Sequence, residues 1–235
     1  MLKTFFTNIY ERANAMNRQN LIALARKAGR RNGVKKLLDL GCDDGVWTRA
    51  LADAVGADEV HGIEVVAQQA KKAEENGIRV HVIDLSRPLT GIPSETFDLV
   101  HANQVIEHVS NVDLFVSEVF RVLKKGGHAV ISTENGSSWH NIFAATMGWQ
   151  IFSLTNVSAL KAGLGNPFAI QRGGTPFTGT WTHKTIFNYR GLIEMFEAHG
   201  FKNVKIAGAG YFPLPAFLGK IDARHSAFIT VFAQK

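Results

Sequence analysis

Cysteine is almost absent from this sequence, and long apolar runs are absent altogether. Cys42 is the single cysteine among 235 residues, so the chain can form no internal disulfide and no cysteine-based zinc cluster. There is no run of about 18 apolar residues, the length that a membrane-spanning helix requires. There is also no basic and then apolar leader followed by small residues, the pattern of a secretion signal. We therefore expect a protein of a reducing compartment, located in the cytoplasm.

Acidic side chains are scarce in the N-terminal arm. Residues 1–36 carry nine lysines and arginines against the single acid Glu11, and the rest of the chain is slightly acidic, so the net charge of +6 belongs to the arm. Apolar residues recur there at helical spacing, which predicts one or two amphipathic helices ending near Gly29. The members of this stripe are Leu2, Phe5, Phe6, Ile9, Ala13, Met16, Leu21, Leu24 and Ala25.

Three roles for this arm stay open. The favoured one is a helix that packs on the domain or covers its site, with basic residues complementing the helix C-terminus. The second is contact with an anionic membrane surface or an acidic substrate. The third is contact with RNA through the cluster of positive charge.

The most informative stretch runs from Lys35 to Gly45. Its apolar part, Leu37 to Leu40, is short and apolar on both faces, which predicts a strand buried in a parallel sheet. Gly41 and Gly45 follow at once, and residues 46–54 have the spacing of an amphipathic helix. Glycines let the backbone approach a ligand closely, and a helix start presents free N–H groups to a carboxylate or phosphate. The stretch therefore predicts a cofactor cradle.

Three later predicted strands also end in polar residues. A strand over residues 59–63 ends at Glu64, roughly 20 residues after the first glycine, where a carboxylate can bind ribose hydroxyls. A strand over residues 79–83 ends at Asp84, and another leads into Asn103. Ligands of open α/β sheets bind at the carboxyl ends of the strands. These polar side chains therefore belong to one predicted site.

Two of these stretches resemble motifs of a known family. Asp39-Leu-Gly41-Cys-Asp-Asp-Gly45 resembles the first motif of class I S-adenosylmethionine-dependent methyltransferases, and Asn103-Gln-Val-Ile-Glu107-His-Val109 resembles their fourth. The order of strands, helices and glycine turns is similar over residues 35 to 135. The chain is most similar to the small-molecule type found in coenzyme Q and menaquinone biosynthesis. The resemblance implies a doubly wound α/β fold, with a mostly parallel seven-stranded sheet and an antiparallel last strand.

The same resemblance implies a cofactor and its binding residues. The cofactor would be S-adenosyl-L-methionine, with S-adenosyl-L-homocysteine as product. Its binding residues would come from four strand ends: Asp39, Gly41, Cys42, Gly45, Glu64, Val65, Asp84, Leu85, Asn103 and Gln104. One position departs from the motif, because Asp43 stands where the family often has a glycine.

Organisation of the chain follows from length and pattern. With 235 residues, 46% of them hydrophobic, the chain is long enough for one α/β domain but short for a second. Periodicity weakens between Glu134 and Thr182, where the family commonly carries a substrate cover. We therefore divide the chain into an N-terminal helical arm (1–33) and an S-adenosylmethionine-binding domain (34–235), with a cap inserted at about 136–182.

Histidines are the candidate catalytic groups. His108 follows the fourth strand, and an ordinary imidazole pKa suits a general base near neutral pH. His183 is the second candidate. The pair Glu107-His108 is similar to one in coenzyme Q pathway O-methyltransferases, where a divalent metal has been proposed with an upstream carboxylate. Gln104 occupies that upstream position here, so we predict no metal.

Substrate contacts are expected in or beside the cap, from His140, Arg172 and Trp181. The predicted function is methyl transfer from S-adenosylmethionine to oxygen, nitrogen or carbon of a small-molecule or lipid- or sugar-linked metabolite.

Three alternatives stay open. An RNA methyltransferase would use the basic arm, although a nucleic-acid partner is not expected because no Asn-Pro-Pro-Tyr-like motif follows the fourth strand. An NAD(P)-dependent oxidoreductase would need Gly-x-Gly-x-x-Gly, where this chain has Gly-x-x-x-Gly. A non-catalytic S-adenosylmethionine-binding protein is the third.

Overall fold

One long helix opens the chain, and strands and helices alternate after it. The computed structural model describes residues 2–29, 33–176 and 179–235, with side chains described from residue 7 onward. The strands are β1 (Lys36–Leu40), β2 (Glu59–Ile63), β3 (Arg79–His81), β4 (Phe97–Asn103), β5 (Leu123–Glu134), β6 (Lys202–Ala209) and β7 (Phe228–Gln234). The helices are α1 (Leu2–Ala28), α2 (Val46–Val55), α3 (Ala67–Glu75), α4 (Val112–Val122), α5 (Trp139–Thr146), α6 (Tyr189–Ala198) and α7 (Leu218–Ile221).

The strands form one seven-stranded sheet in the order β3-β2-β1-β4-β5-β7-β6. β1 pairs in parallel with β2 and β4, and the outer pairs β2–β3 and β4–β5 are parallel too. β7 runs antiparallel to both of its neighbours, β5 and β6. The predicted mostly parallel seven-stranded sheet with an antiparallel last strand is therefore confirmed.

Helices cover both faces of this sheet, which explains why its central strands are apolar on both faces. On one face α1, α2 and α3 pack over side chains such as Leu37 and Leu99. On the other face α4 and α6 pack over the residues that follow these on the same strands, Leu38 on β1 and Val100 on β4. Successive strand residues point to opposite faces, so each strand contributes to both cores.

Several element boundaries differ from the sequence-based prediction. β3 ends at His81 rather than at residue 83, and the helical spacing that the sequence shows over residues 185–199 corresponds to a helix, α6, that starts only at Tyr189. Phe187 cannot begin this helix because it is extended and pairs with Asn135. The apolar stretch 142–154 is a helix only in its first part, since α5 ends at Thr146 and a short 3-10 turn follows at 152–154.

The arm is a single helix, α1, and it lies against the sheet. Ala13, Leu21 and Ala25 on one stripe are fully buried. Between them lies Asn17, whose side-chain oxygen accepts hydrogen bonds from Ser132 on β5 (2.9 Å) and Thr230 on β7 (3.0 Å). Its amide nitrogen donates to Asn103 on β4 (3.1 Å), so one buried side chain joins the arm to three strands.

Two groups within the arm lie outside the part of the chain that the structure describes. These are the basic residues Arg30 and Arg31 and the side chains of Leu2, Phe5 and Phe6. Among the helices that are described, none is both long enough and apolar enough to cross a bilayer.

The contact between the arm and the end of β6 gives a test of this packing. Gly210 has a φ of +74°, and a Cβ built there would lie 2.5 Å from the Cβ of Ala13. Gly148 has a similar φ of +69° but has nothing within 4 Å of such a Cβ. Both Gly→Ala changes add left-handed strain of about 1–2 kcal/mol, and only Gly210→Ala adds overpacking of about 1–3 kcal/mol.

We therefore expect Gly210→Ala to lower the free energy of unfolding clearly more than Gly148→Ala does. Urea denaturation of the two variants measures the difference. Equal losses in the two variants would contradict the close packing of α1 on the sheet.

Candidate active site

The sheet has a reversal of strand order between β1 and β4. From β1 the chain moves outward to β2 and β3, and it then returns to β4 on the other side and continues to β5. Connections that diverge in this way leave a crevice at the carboxyl ends of the two strands. The polar residues predicted from the sequence therefore lie at one edge of the sheet, around this crevice.

The glycine loop after β1 is shaped by close contacts. Gly41 has a φ of +73°, and a Cβ there would lie 2.7 Å from a methyl group of Val105. Gly45 has a φ of +80°, and a Cβ there would lie 2.8 Å from the Cα of Ala73 in α3. Asp43, at the position where the family often has glycine, also takes a positive φ of 47°. An acid can occupy this position because Asp tolerates the left-handed region better than most residues.

Glu64 holds the loop against the next helix start. One carboxylate oxygen accepts from the backbone N–H of Asp43 (3.1 Å), and the other accepts from that of Val66 (2.8 Å). A carboxylate has about four acceptor positions, so two remain for ligand hydroxyls. The next residue, Val65, is 42% exposed. Its apolar side chain offers a surface on which a planar ring can pack. At the end of β3, Asp84 accepts from the N–H of Ser86 and is otherwise exposed.

Below the crevice, the predicted cofactor residue Asp39 belongs to a buried polar group with two residues that the sequence did not predict, His101 and Thr48. Asp39 accepts a hydrogen bond from Nδ1 of His101 (2.6 Å) and another from the hydroxyl of Thr48. Because Nδ1 is engaged, Nε2 is the free nitrogen of His101, and it has no partner among the described residues although the ring is fully buried.

A second unpartnered nitrogen lies near the first. Nε1 of Trp47 is buried without a hydrogen-bond partner in the described chain, and its ring centre lies 6.2 Å from that of His101. The guanidinium of Arg18, from α1, lies over the Trp47 ring at 5.4 Å. Buried donors and acceptors are normally satisfied, so this pair indicates room for a polar ligand group at the start of α2.

The remaining predicted cofactor residues have mainly packing roles in the structure. Cys42 is buried against Gly62, and burial, followed by the charge of Asp39, raises the pKa of its thiol. Leu85 packs against the core on the α4 side. Asn103 and Gln104 bond to neighbouring side chains, and Gln104 has a positive φ of 57°. Both residues lie at the carboxyl end of β4, where their backbone groups and unbonded side-chain atoms border the crevice.

Three chemically active side chains meet just beyond β4. One ligand atom each of Glu107, His108 and His183 lies within 4.8 Å of those of the other two. His183 is 75 residues further along the chain, and it is held there because the N–H groups of Lys184 and Thr185 donate to the carbonyl of Glu107. The two imidazole rings contact edge to face, with their centres 4.6 Å apart.

Hydrogen bonds fix which nitrogen of each ring is free. Nδ1 of His108 donates to the carbonyl of Thr182 (3.2 Å), and Nδ1 of His183 donates to that of Ser153 (2.6 Å). A carbonyl can only accept, so Nε2 is the acceptor nitrogen of each neutral ring. The carboxyl of Glu107 accepts from the hydroxyl of Thr133 through one oxygen, and its other oxygen has no partner in the described part of the chain.

Burial changes the protonation of this cluster. It raises the pKa of Glu107 to about 8, so the carboxyl is largely protonated at neutral pH. Burial, followed by the nearby His183, lowers the pKa of His108 to about 4. The sequence-based argument assumed an ordinary imidazole pKa for His108, and that assumption was wrong because the ring is removed from water.

The same three groups are a donor set of two imidazoles and one carboxyl, which divalent transition metals accept. The sequence argument against a metal considered only Gln104, whose side chain here donates to Ser132. The sequence did not predict that His183 lies beside Glu107 and His108. The absence of a metal stays a prediction.

A large apolar cavity opens beside the crevice, where β5 ends. It encloses about 960 Å³, and its walls come from α1, the cap and the connection between β6 and β7. Among the described residues that line it, the one acid is Glu134, the last residue of β5 and the neighbour of Thr133. Most of the other lining side chains are aromatic or aliphatic: Tyr10, Trp139, Phe143, Phe152, Phe168, Ile170, Phe212, Leu214 and Phe228.

Of the three residues predicted to contact substrate, the structure places one in this cavity. His140 lines it, with its ring edge to face against Phe152 and Phe212, and burial lowers its pKa to about 4. Arg172 and Trp181 are exposed and lie outside the cavity lining as the structure describes it. Both belong to the cap in sequence, but neither belongs to the cavity wall.

Sequence reasoning missed several contributors to the site, among them Trp47 beside the crevice. Glu107 was noted only as the partner of His108, although an acid inside an otherwise apolar run is a signal of a buried carboxyl. His101 lies in the middle of an apolar strand, which is a similar signal. Tyr10 gave none, because only the docking of α1 brings it to the cavity.

Comparison with known proteins agrees with this geometry. Residues 11–206 match a family described as a methyltransferase domain. The rat mitochondrial ubiquinone biosynthesis O-methyltransferase is 29% identical over 189 residues, covering 77% of this chain and 48% of the relative. The corresponding Photobacterium profundum protein is 25% identical, covering 77% of this chain and 69% of its own. The chain thus spans about half the length of the first of these relatives.

A solved structure has the same fold. An S-adenosylmethionine-dependent methyltransferase from Thermotoga maritima superposes with a TM-score of 0.58 over the whole of both chains, at 16% identity. The family match covers most of the sequence, and the strand order and glycine loop agree with it. The chain belongs to the methyltransferase-domain family, and its fold is that of the class I S-adenosylmethionine-dependent methyltransferases.

Proposed function

We propose that this chain transfers the methyl group of S-adenosylmethionine to a hydroxyl group of an aromatic small molecule that carries an extended apolar chain. The observation that carries the proposal is the apolar cavity at the end of β5. It lies between the cofactor crevice and the cap, and its walls offer aromatic and aliphatic surface with few polar groups. Such a lining favours a ligand that is mostly apolar and is oriented by few polar contacts.

The residues around the crevice fit the cofactor. Glu64 has acceptor positions for the two ribose hydroxyls, and Val65 offers apolar surface for the adenine ring. Asp84, three residues after the end of β3, would accept from the adenine amino group. At the other end, the buried Nε1–H of Trp47 would donate to the carboxylate of the methionine part, and Nε2 of His101 would accept from its ammonium.

The cofactor supplies an electrophilic methyl group on a sulfonium. What the chain contributes is orientation, exclusion of water and removal of a proton. Transfer of such a methyl group to a hydroxyl oxygen would release the hydroxyl proton, which a base of this chain would have to accept. We assign this role first to Nε2 of His108 and second to Nε2 of His183.

The lowered pKa of His108 makes it a weak base but keeps its nitrogen unprotonated at all physiological pH values. The neutral Glu107 beside it adds no competing charge in the resting state.

Relatives support an apolar acceptor and transfer to oxygen. Both curated relatives described above are named for O-methylation in ubiquinone biosynthesis. A relative from Botryococcus braunii, 37% identical over 98 residues and covering 39% of this chain and 26% of its own length, is named squalene methyltransferase 1; squalene is a hydrocarbon, so this relative supports the apolar acceptor and not transfer to oxygen.

The acceptor proposal predicts a dependence on chain length. For phenols with para-alkyl chains from methyl to octyl, we expect kcat/KM to rise by up to about fourfold for each methylene, since burial of a methylene contributes about 0.8 kcal/mol. Transfer of a labelled methyl group from S-adenosylmethionine measures it. Phe168→Ala, in the cavity wall, should weaken the dependence, and Leu160→Ala, on an exposed loop, should not. A rate that is independent of chain length would contradict an apolar acceptor site.

The cofactor assignment predicts a specific loss in Trp47→Phe, which removes the indole N–H and keeps the ring. We expect affinity for S-adenosylhomocysteine to fall about tenfold, as for a lost hydrogen bond to a charged group. Affinity for 5′-methylthioadenosine, which lacks the amino-acid part, should stay the same. Calorimetric titration measures both, with Trp181→Phe as the matched control. Equal weakening of the two ligands would show that Trp47 does not contact the methionine part.

The base assignment predicts a pH profile. Protonated His108 cannot accept a proton, and its pKa is lowered to about 4, so kcat/KM should fall below about pH 5 and show no loss near pH 6.5. His108→Gln should lower kcat by 10²–10⁴-fold and leave S-adenosylhomocysteine affinity unchanged. His183→Gln tests the second candidate. Rates that fall on adding a chelator would instead support a metal at these three residues.

A further inference from the structure

The exposed apolar side chains of this molecule are concentrated on one part of its surface. Among the described residues, 14 large hydrophobic side chains are exposed, and ten of them fall in two segments, 139–181 and 214–221. These ten are Trp139, Phe143, Met147, Val157, Leu160, Phe168, Trp181, Leu214, Phe217 and Ile221. A concentration of this kind on a folded chain marks an interaction surface.

The two segments lie side by side. The indole N–H of Trp139, the first residue of α5, donates to the hydroxyl of Tyr211 (2.7 Å). The Trp139 ring also stacks on His225, with centres 4.4 Å apart. The cap and the connection between β6 and β7 therefore form a single surface, which we call the cap face.

The apolar cavity opens through the cap face. Phe143, Phe168 and Leu214 both line the cavity and are about half exposed, so they lie at its mouth. Further exposed apolar side chains from α5 and α7 continue this apolar rim. Met147 lies one turn after Phe143 at the end of α5, and Phe217 and Ile221 lie one turn apart at α7.

Charge on the cap face is predominantly positive. The sequence contains no aspartate or glutamate from residue 135 to residue 193, although the whole chain has 20. Exposed cations interrupt the apolar surface: Lys161, Arg172, Lys220 and Arg224. In the segment 211–225 the one acid is Asp222, and its carboxylate accepts from the hydroxyl of Tyr211 and Nδ1 of His225.

We infer that the cap face docks on an anionic lipid bilayer, from which the apolar part of the acceptor enters the cavity directly. The inference rests on the proposed function for its acceptor, but the surface stands on its own residues. Apolar helices with interspersed cations bind at the interface of an anionic membrane, where the side chains enter the lipid and the cations meet headgroups. A second copy of this chain would bring the same positive charge to the contact.

The N-terminal arm is less suited to this contact, although its charge also suggested a membrane. Its apolar stripe at Ala13, Leu21 and Ala25 is already buried against the sheet and α2. What it presents outward from residue 7 is mainly polar, including Arg12 and Arg26.

Vesicle co-sedimentation of the whole chain tests the inference. We expect binding to phosphatidylcholine vesicles that contain about one-third phosphatidylglycerol and much weaker binding to phosphatidylcholine alone. Phe217→Ser with Ile221→Ser, and separately Lys161→Glu with Lys220→Glu, should each weaken partition at least tenfold. Two controls should bind like the unmodified chain: Val82→Ser, an exposed apolar residue elsewhere, and Arg12→Gln with Arg26→Gln on the arm.

Three results would overturn the inference: no binding by the unmodified chain, equal binding to both kinds of vesicle, or loss of binding only in the arm variant. A dimer in sedimentation equilibrium that Phe217→Ser with Ile221→Ser converts to monomer, without vesicle binding, would assign the cap face to a second copy.

The same preparations separate this inference from the proposed function. Titration with S-adenosylhomocysteine and methylation of 4-methylphenol need no membrane. Retained methyl transfer without vesicle binding overturns the docking alone. Vesicle binding without cofactor binding or methyl transfer overturns the proposed function and leaves the docking supported.

Discussion

Parallel pairing of β1 with both β2 and β4 is the constraint on which the rest of this structure depends. The strands from β1 to β5 all run in the same direction, so each of them ends at the same edge of the sheet. The glycine loop, Glu64, Asp84 and the cluster around Glu107 come from different parts of the chain, and this pairing brings them to one crevice. Beyond β5 the sheet continues with the antiparallel β7. The connection 211–225, which leads from β6 into β7, reaches the cap.

A second interaction ties the arm to the site. The buried amide of Asn17 bonds to three strands, and a buried amide is costly unless its donors and acceptors are paired. The position of α1 is therefore specified, and its neighbouring residues are placed with it. Arg18 lies over Trp47 beside the crevice, and Tyr10 becomes part of the cavity wall. In this way the arm contributes to both halves of the site.

The two halves differ in polarity, and the difference suits methyl transfer. The cofactor side offers carboxylates and backbone donors, whereas the acceptor side is apolar and holds a histidine and a carboxyl that burial keeps neutral. In the proposed reaction, a positively charged donor and an apolar acceptor pocket would favour attack by an oxygen that has lost its hydration. The absence of acids from the cap extends this apolar and slightly positive character to the outer surface.

The sequence by itself determined the order of the elements, the strand ends that carry polar residues and the glycine loop. Those signals are local: apolar runs, helical spacing and glycines that follow a strand. The tertiary structure alone decided that His183 meets Glu107 and His108, that Tyr10 lines the cavity, and that Arg172 and Trp181 stay outside it. It also decided the protonation of Glu107 and His108, because a pKa depends on removal from water and on neighbours far along the chain. Such distant contacts leave no periodic pattern in the sequence.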